Sequence, residues 1–300
     1  MTRPRNRHRR PPAMGPGRLE IGSVLARTFS VWGRKLIAFS ILSLVGLSPL
    51  LAYTLFLLGS PVSGHAFSVW TSVNFWGSQV LGLLVTGAAV FGVVQDLRGA
   101  EVSIGTCITE GLRRMPATIG VTLLMWVYLL SAMLAIGILG SLGAGLVGFL
   151  TGGSAAVTGL IVIAVLAGVV GWIFSMFWVA VPVCVLEAPG VSASLGRSAR
   201  LTNRHRWKIL LVLFILFLIL GVPGYALRQA LLPVTWIHPD APEVLVATHG
   251  QQAVKTYMVL STLFSMLTGP LTAVASAVVY HDLRTSKEGV GVEEIAKVFD

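Results

Sequence analysis

Asp96, Glu187 and Asp282 each stand just beyond a long apolar run, and each has arginine nearby: Arg98, then Arg197 and Arg200, then Arg284. Carboxylate and guanidinium meet through charge-assisted, often bidentate hydrogen bonds. The three sets therefore predict a juxtamembrane salt-bridge network that ties short helices to the ends of apolar ones. Arg197, Arg200, Arg204 and Arg206 also crowd one short stretch. Guanidinium forks fit phosphate as well as carboxylate, so these four are the candidate contact for an anionic lipid headgroup. No ionisable residue falls in the middle of an apolar run, where its burial would be costly and would mark a proton or ion pathway.

Other chemistry finds little footing. His8, His65, His205, His238, His249 and His281 are scattered, without an HExxH pair or a carboxylate cluster, so no metal site is expected. Cys107 and Cys184 are the two cysteines, which supports neither a disulfide framework nor a thiolate cluster. The glycine-rich GSLGAGLVG lacks the Lys-Ser/Thr of a phosphate loop, and no serine sits in a GxSxG elbow. No cofactor is expected, and catalysis is the least favoured class; a cleft joining His281, Asp282 and Glu187 would reverse that. Polar residues inside the apolar runs, among them Thr86, Ser175, Ser261 and Ser265, are expected to bond to the preceding turn or to a neighbouring helix.

The elements that position these groups follow from composition. The 300 residues are 55% apolar and 11% charged, against about 25% charged in soluble domains, and the mean hydropathy is +0.82. Apolar runs at 37–58, 77–94, 118–139, 156–181, 209–227 and 256–280 each approach the roughly 20 residues a bilayer requires. They lack the alternation of barrel strands, for example in ILLVLFILFLIL, so helices must satisfy the backbone. The expected fold class is all-α: a polytopic bundle of about six spans with short amphipathic interfacial helices. The domains expected are a disordered basic tail over 1–18 and a single six-span membrane domain over 19–300.

Net charge is +10. With no soluble domain to hold a duplex, nucleic acid is not expected as a partner; membrane lipid, anionic in particular, is. In a six-span arrangement every Lys and Arg except Arg228 and Lys255 falls on the side of the N-terminus. That skew predicts both termini in the cytoplasm, as in a multi-pass protein of a cell inner membrane. The basic lead-in is longer than a signal-peptide n-region, so the first run should remain as an anchor. Trp32, Trp70, Trp76, Trp207 and Trp236 lie near expected span ends, where amphipathic rings suit the headgroup zone.

Three short stretches look like interfacial helices: LEIGSVLARTFSVWGRK, VSIGTCITEGLRRM and GVSASLGRSARLTNRHRW. Related wording closes alternate spans, in VVQDLRGAEVSIG, VPVCVLEAPGVSAS and VVYHDLRTSKEGVGVEE. The pattern reads as three copies of an interfacial helix plus a hairpin, with 292–299 opening a fourth. Small-residue strips at Gly137, Ser141 and Gly145, at Gly140, Ala144, Gly148 and Gly152, and at Ala164 and Gly168 predict close helix packing. Pro49, Pro182, Pro223 and Pro270 are candidate kinks, with Gly-Val-Pro-Gly from Gly221 to Gly224 the best candidate for a break. The ends of the third span, within the glycine-rich stretch, and of the loop at 237–253 stay open.

VPVCVLEAPGVSASLGRSARLTNRHRWKIL, VVYHDLRTSKEGVGVEEIA and VLARTFSVWGRKLIAF resemble uncharacterised bacterial membrane proteins related to the glycerophosphoryl diester phosphodiesterase membrane domain. The resemblance covers residues 19–299. It is carried by Glu187, Arg197, Ser198, Leu201 and Trp207, and by Tyr280, Asp282, Leu283, Arg284, Glu288 and Gly289, with His281 a departure. It implies a six-span fold and a setting in lipid metabolism. It implies no catalytic residues, because the soluble phosphodiesterase domain and its His and Glu motifs are not expected here. The function expected is a non-enzymatic, lipid- or partner-associated scaffold or sensor, with a membrane protein as a second class of partner. The alternative is a small-solute or lipid transporter or channel, which a polar cavity lined by Thr86, Ser175 or Ser265 would favour.

Overall fold

The computed structural model describes residues 20–97, 104–151, 155–233 and 242–288, and all regular structure in them is helical. In chain order the helices are α1 (Ile21–Arg34), α2 (Leu36–Gly46), α3 (Ser48–Leu58), α4 (Gly64–Leu97) and α5 (Ile104–Thr151). There follow α6 (Ala155–Phe177), α7 (Ala180–Glu187), α8 (Val191–Thr202), α9 (Arg206–Leu231) and α10 (Pro242–Glu288). Five stretches are long and apolar enough to cross a bilayer: α4, α5, α9, α10 and Gly159–Glu187 across α6 and α7. A sixth is reached if α1 and α2, bent by 76° at their junction, count as one. The protein is a multi-pass helical membrane protein.

α10 is the centre of the bundle, packed by α4, α1, α9, α2 and α3. Its Ala273, Val274, Ala275, Ser276, Ala277 and Val278 are all buried. Small side chains around the whole circumference let neighbours approach on every side, which matters where lipid supplies no hydrophobic push between helices. Of its apolar window 61% is buried, against 11% in α5 and in Gly159–Glu187. Those outer helices expose Leu134, Leu139, Leu160 and Ile163, surfaces made for lipid tails.

Two prolines interrupt helices and three do not. The run at 37–58 breaks at Leu47, between α2 and α3, with Pro49 in the first turn of α3. Proline has no N–H to offer the Val45 carbonyl; the Ser48 hydroxyl donates to that carbonyl instead, at 2.8 Å. Pro182 likewise opens α7 after a break at Trp178 and Val179. Pro116, Pro223 and Pro270 sit inside continuous helices, so Gly-Val-Pro-Gly does not break α9. The interruption in α10 falls at Gly250 instead, at φ 77 and ψ 162, within the loop left open at 237–253.

Of the three stretches expected to be interfacial, two form short separate helices, α1 and α8. The second expected one is absorbed into α5, which runs from Ile104 through Pro116 to Thr151 and so also decides the end of the third span. The helix contacts made through glycine differ from those expected. Gly137, Gly145 and Gly168 face open space, and among the described strip glycines only Gly140 has a near neighbour, Val162; Ala144, Gly148 and Gly152 lie outside the described side chains. Along their lengths α5 lies close on α4 at Gly111, where a Cβ would lie 2.9 Å from Ala88 Cβ and 3.1 Å from the Leu84 carbonyl. The tail at 1–18, Arg98, Trp236 and the piece at 292–299 lie outside the described residues.

Candidate functional site

Charged groups collect at one end of the bundle because α1, the ends of α4 and α10, and the α7–α8 corner meet there. Ala188 at φ 50 and Gly190 at φ 99 turn the chain sharply after α7. A ψ of 167 at Gly190 puts that residue in a region open only to glycine. The turn brings α8 back beside α7, and Arg197 reaches Glu187 with Nε 3.1 Å and Nη2 3.4 Å from its two oxygens.

Glu187 also accepts from the Tyr280 hydroxyl at 2.7 Å, which itself accepts from Arg284 at 3.1 Å. Glu288 closes the circuit, paired with Arg197 and, at 3.3 Å, with Arg284. Two carboxylates face two guanidiniums, so this cluster is neutral. Its side chains are 18–26% exposed, enough burial that removing one member would strand the others.

Asp282 pairs with Arg27 of α1 at 2.8 Å, not with Arg284. Residues two apart on a helix do not face each other, so Arg284 turns toward Glu187 while Asp282 turns toward α1. The same geometry separates Asp282 from Glu187, and the cleft that would have joined them with His281 is replaced by two networks on different sides of α10. Asp96 pairs with Arg34 at 3.0 Å and approaches Lys35 at 3.9 Å, while Arg98 is outside the described residues. Arg27, Arg34, Lys35, Tyr280 and Glu288 are thus members that charge spacing alone did not supply. Of these five, only Glu288, four residues from Arg284 on one helix face, was open to a reading by spacing.

The four arginines proposed for headgroup contact divide. Arg197 belongs to the neutral cluster. Arg200 and Arg204 are exposed, with no salt bridge among the described residues. Arg206 lies 5.3 Å over the Trp172 ring, a cation–π contact, and Trp172 meets Trp207 edge-on at 5.5 Å. Lys287 donates to the Arg200 and Asn203 carbonyls at 2.7 and 2.9 Å, capping the negative end of α8. Burial, with Lys287 and Lys208 nearby, holds His205 below the usual imidazole range. The corner between α8 and α9 is thus a concentration of positive charge whose nearest carboxylates are already engaged.

Among the described residues no group of three or more His, Cys, Asp or Glu is arranged to hold a metal, and Cys107 and Cys184 are buried, unpaired thiols. No family model matches the chain, and no curated protein or solved structure matches it either.

Proposed function

We propose that this chain is a non-enzymatic membrane scaffold or sensor that holds anionic lipid headgroups at the corner between α8 and α9. The observation that carries this reading is the surplus charge of Arg200, Arg204 and Arg206 beside a neutralised Arg197. Guanidinium groups at a membrane surface, with Trp207 71% exposed beside them, suit a phosphate at headgroup depth. The concentration of basic residues at this end favours its facing the cytoplasm, with both termini there and the protein in a cell inner membrane. The likeness to the phosphodiesterase-associated membrane family adds a lipid setting and no catalytic residue. A threefold repeat of short helix plus hairpin is supported by α1 and α8, which precede corresponding apolar stretches.

The test is retention of phosphatidylglycerol by the purified chain, measured by native mass spectrometry with Arg200→Gln, Arg204→Gln and Arg206→Gln combined. At about 1 kcal/mol per cation near the surface, retention should fall on the order of a hundredfold. Unchanged retention by a variant that melts normally sinks the reading. A transporter is the second reading, favoured by a groove between α4 and α10 that includes Ser265.

A further inference from the structure

At the half of the bundle remote from the charged network, α4 and α10 part around a cavity of about 260 Å³ floored by Leu47, Leu50 and Met266. Trp70, Phe75 and Tyr257 form an aromatic wall. Trp70 is fixed there: its Nε1 donates to the Thr54 hydroxyl at 3.0 Å, and its ring meets Tyr257 edge-on at 6.1 Å. No Asp, Glu, Lys, Arg or His lines the cavity.

Most hydroxyl protons of the polar lining are spent inside their own helices. The Thr71 hydroxyl donates to the Ser68 carbonyl at 2.7 Å, Ser78 to Phe75 at 2.9 Å, Ser261 to Tyr257 at 2.6 Å and Ser265 to Ser261 at 2.9 Å. Asn74 uses its amide nitrogen on the Trp70 carbonyl at 3.3 Å. A hydroxyl has one proton and two lone pairs, and an amide oxygen only accepts. With these protons engaged within their own helices, the hydroxyl oxygens and the Asn74 amide oxygen are left as acceptors, while the second N–H of Asn74 and the O–H of Tyr257 can still donate.

An uncharged array rich in acceptors, with a few donors among them, beside an aromatic wall is complementary to a ligand that is neutral, carries several hydroxyls able to donate and accept, and has an apolar C–H face. We infer that the cavity binds a polyhydroxy group, a sugar or polyol of about monosaccharide size. A single cation fits poorly: Thr71 and Ser78 are two turns apart, roughly 10 Å along α4, whereas one ion draws its oxygens to about 2.3–2.6 Å. The volume lies just under the roughly 300 Å³ at which pockets begin to enclose drug-sized molecules, which suits a single ring. The same chemistry is offered by a free sugar and by the headgroup of a neutral glycolipid. This inference does not rest on the anionic-lipid reading, whose residues lie at the opposite end.

The experiment uses the full chain in nanodiscs prepared without any sugar-headed detergent. Two probes are added separately, monoglucosyl diacylglycerol and methyl glucoside, with phosphatidylcholine as the control lipid, and binding is read by native mass spectrometry and calorimetry. Binding of the glycolipid alone identifies a lipid headgroup as the ligand; binding of both identifies the sugar itself. Ser261→Ala with Ser265→Ala should weaken the bound probe about tenfold or more, while phosphatidylglycerol retention stays unchanged. Should the double variant fail to fold, Ser265→Ala alone, at an exposed position, should give a loss of several-fold. Absence of binding by both probes, equal binding by wild type and variant, or binding that requires sodium overturns the inference.

Discussion

His205 sits in the turn between α8 and α9, and what disfavours its charged form is burial first, then Lys287 of α10 and Lys208 of α9. A folded-state value below the usual imidazole range means that stability is lost as pH falls from the ordinary imidazole value toward the lower folded-state one. An anionic headgroup at the corner would offset the repulsion and raise the value, so binding would take up a proton. Phosphatidylglycerol keeps its charge over this range, and its retention should therefore strengthen as pH is lowered from 7.5 to 5. The gain is up to about tenfold for each unit by which the lipid raises the value. Titration of retention against pH checks this, and His205→Ala should flatten the curve. A curve equally steep in the variant would assign the effect elsewhere. Single residues also show where sequence reading stops. Arg197 is ten positions from Glu187 and their pairing was legible. Arg27 is 255 from Asp282 and Arg34 is 62 from Asp96, distances at which only the folded chain selects a partner.

Helices were legible in kind and approximate length, since lipid obliges an apolar run to close its own backbone bonds. Their joints were not. The same residue, proline, ends a helix at Pro49 and Pro182 and passes unnoticed at Pro116, Pro223 and Pro270. What decides is whether neighbours hold the helix straight, and Pro270 is buried in the centre of the bundle. Glycine strips permit close approach without specifying which helix arrives, and within this chain Gly137, Gly145 and Gly168 meet none. Gly111→Val should therefore destabilise by about 1–3 kcal/mol through forced separation of α4 and α5. Gly137→Val, where nothing lies within 4 Å, should stay within about 0.5 kcal/mol. Thermal melts of both variants in one detergent compare them directly. Equal melting points would mean that Gly111 is not a helix crossing.

In the whole molecule, α1 and the end of α10 are joined by Arg27–Asp282, so the first and last described helices share one end of the bundle. The turn at Ser60 lies beyond α3, at the other end of the stretch that begins with α2. With Cys107 and Cys184 replaced by alanine, Glu20→Cys and Thr285→Cys should react with an impermeant maleimide from one face of a sealed vesicle. Ser60→Cys should react from the opposite face. Labelling of all three from the same face would show that the stretch through α2 and α3 does not cross.

Taken alone, the sequence determined the solvent. Its long apolar runs and scarce charge require helices in a bilayer, and its basic residues and the acidic residues at run ends were marked as a group by position. Tertiary structure decided the pairings, the joints and the cavity. Each depends on which faces of distant helices meet, and in lipid no difference in hydrophobicity between the two sides of a helix announces which side that will be. Thr71 and Ser265 read as ordinary intrahelical hydroxyls until α4 and α10 stood beside each other and turned their unused lone pairs toward one space.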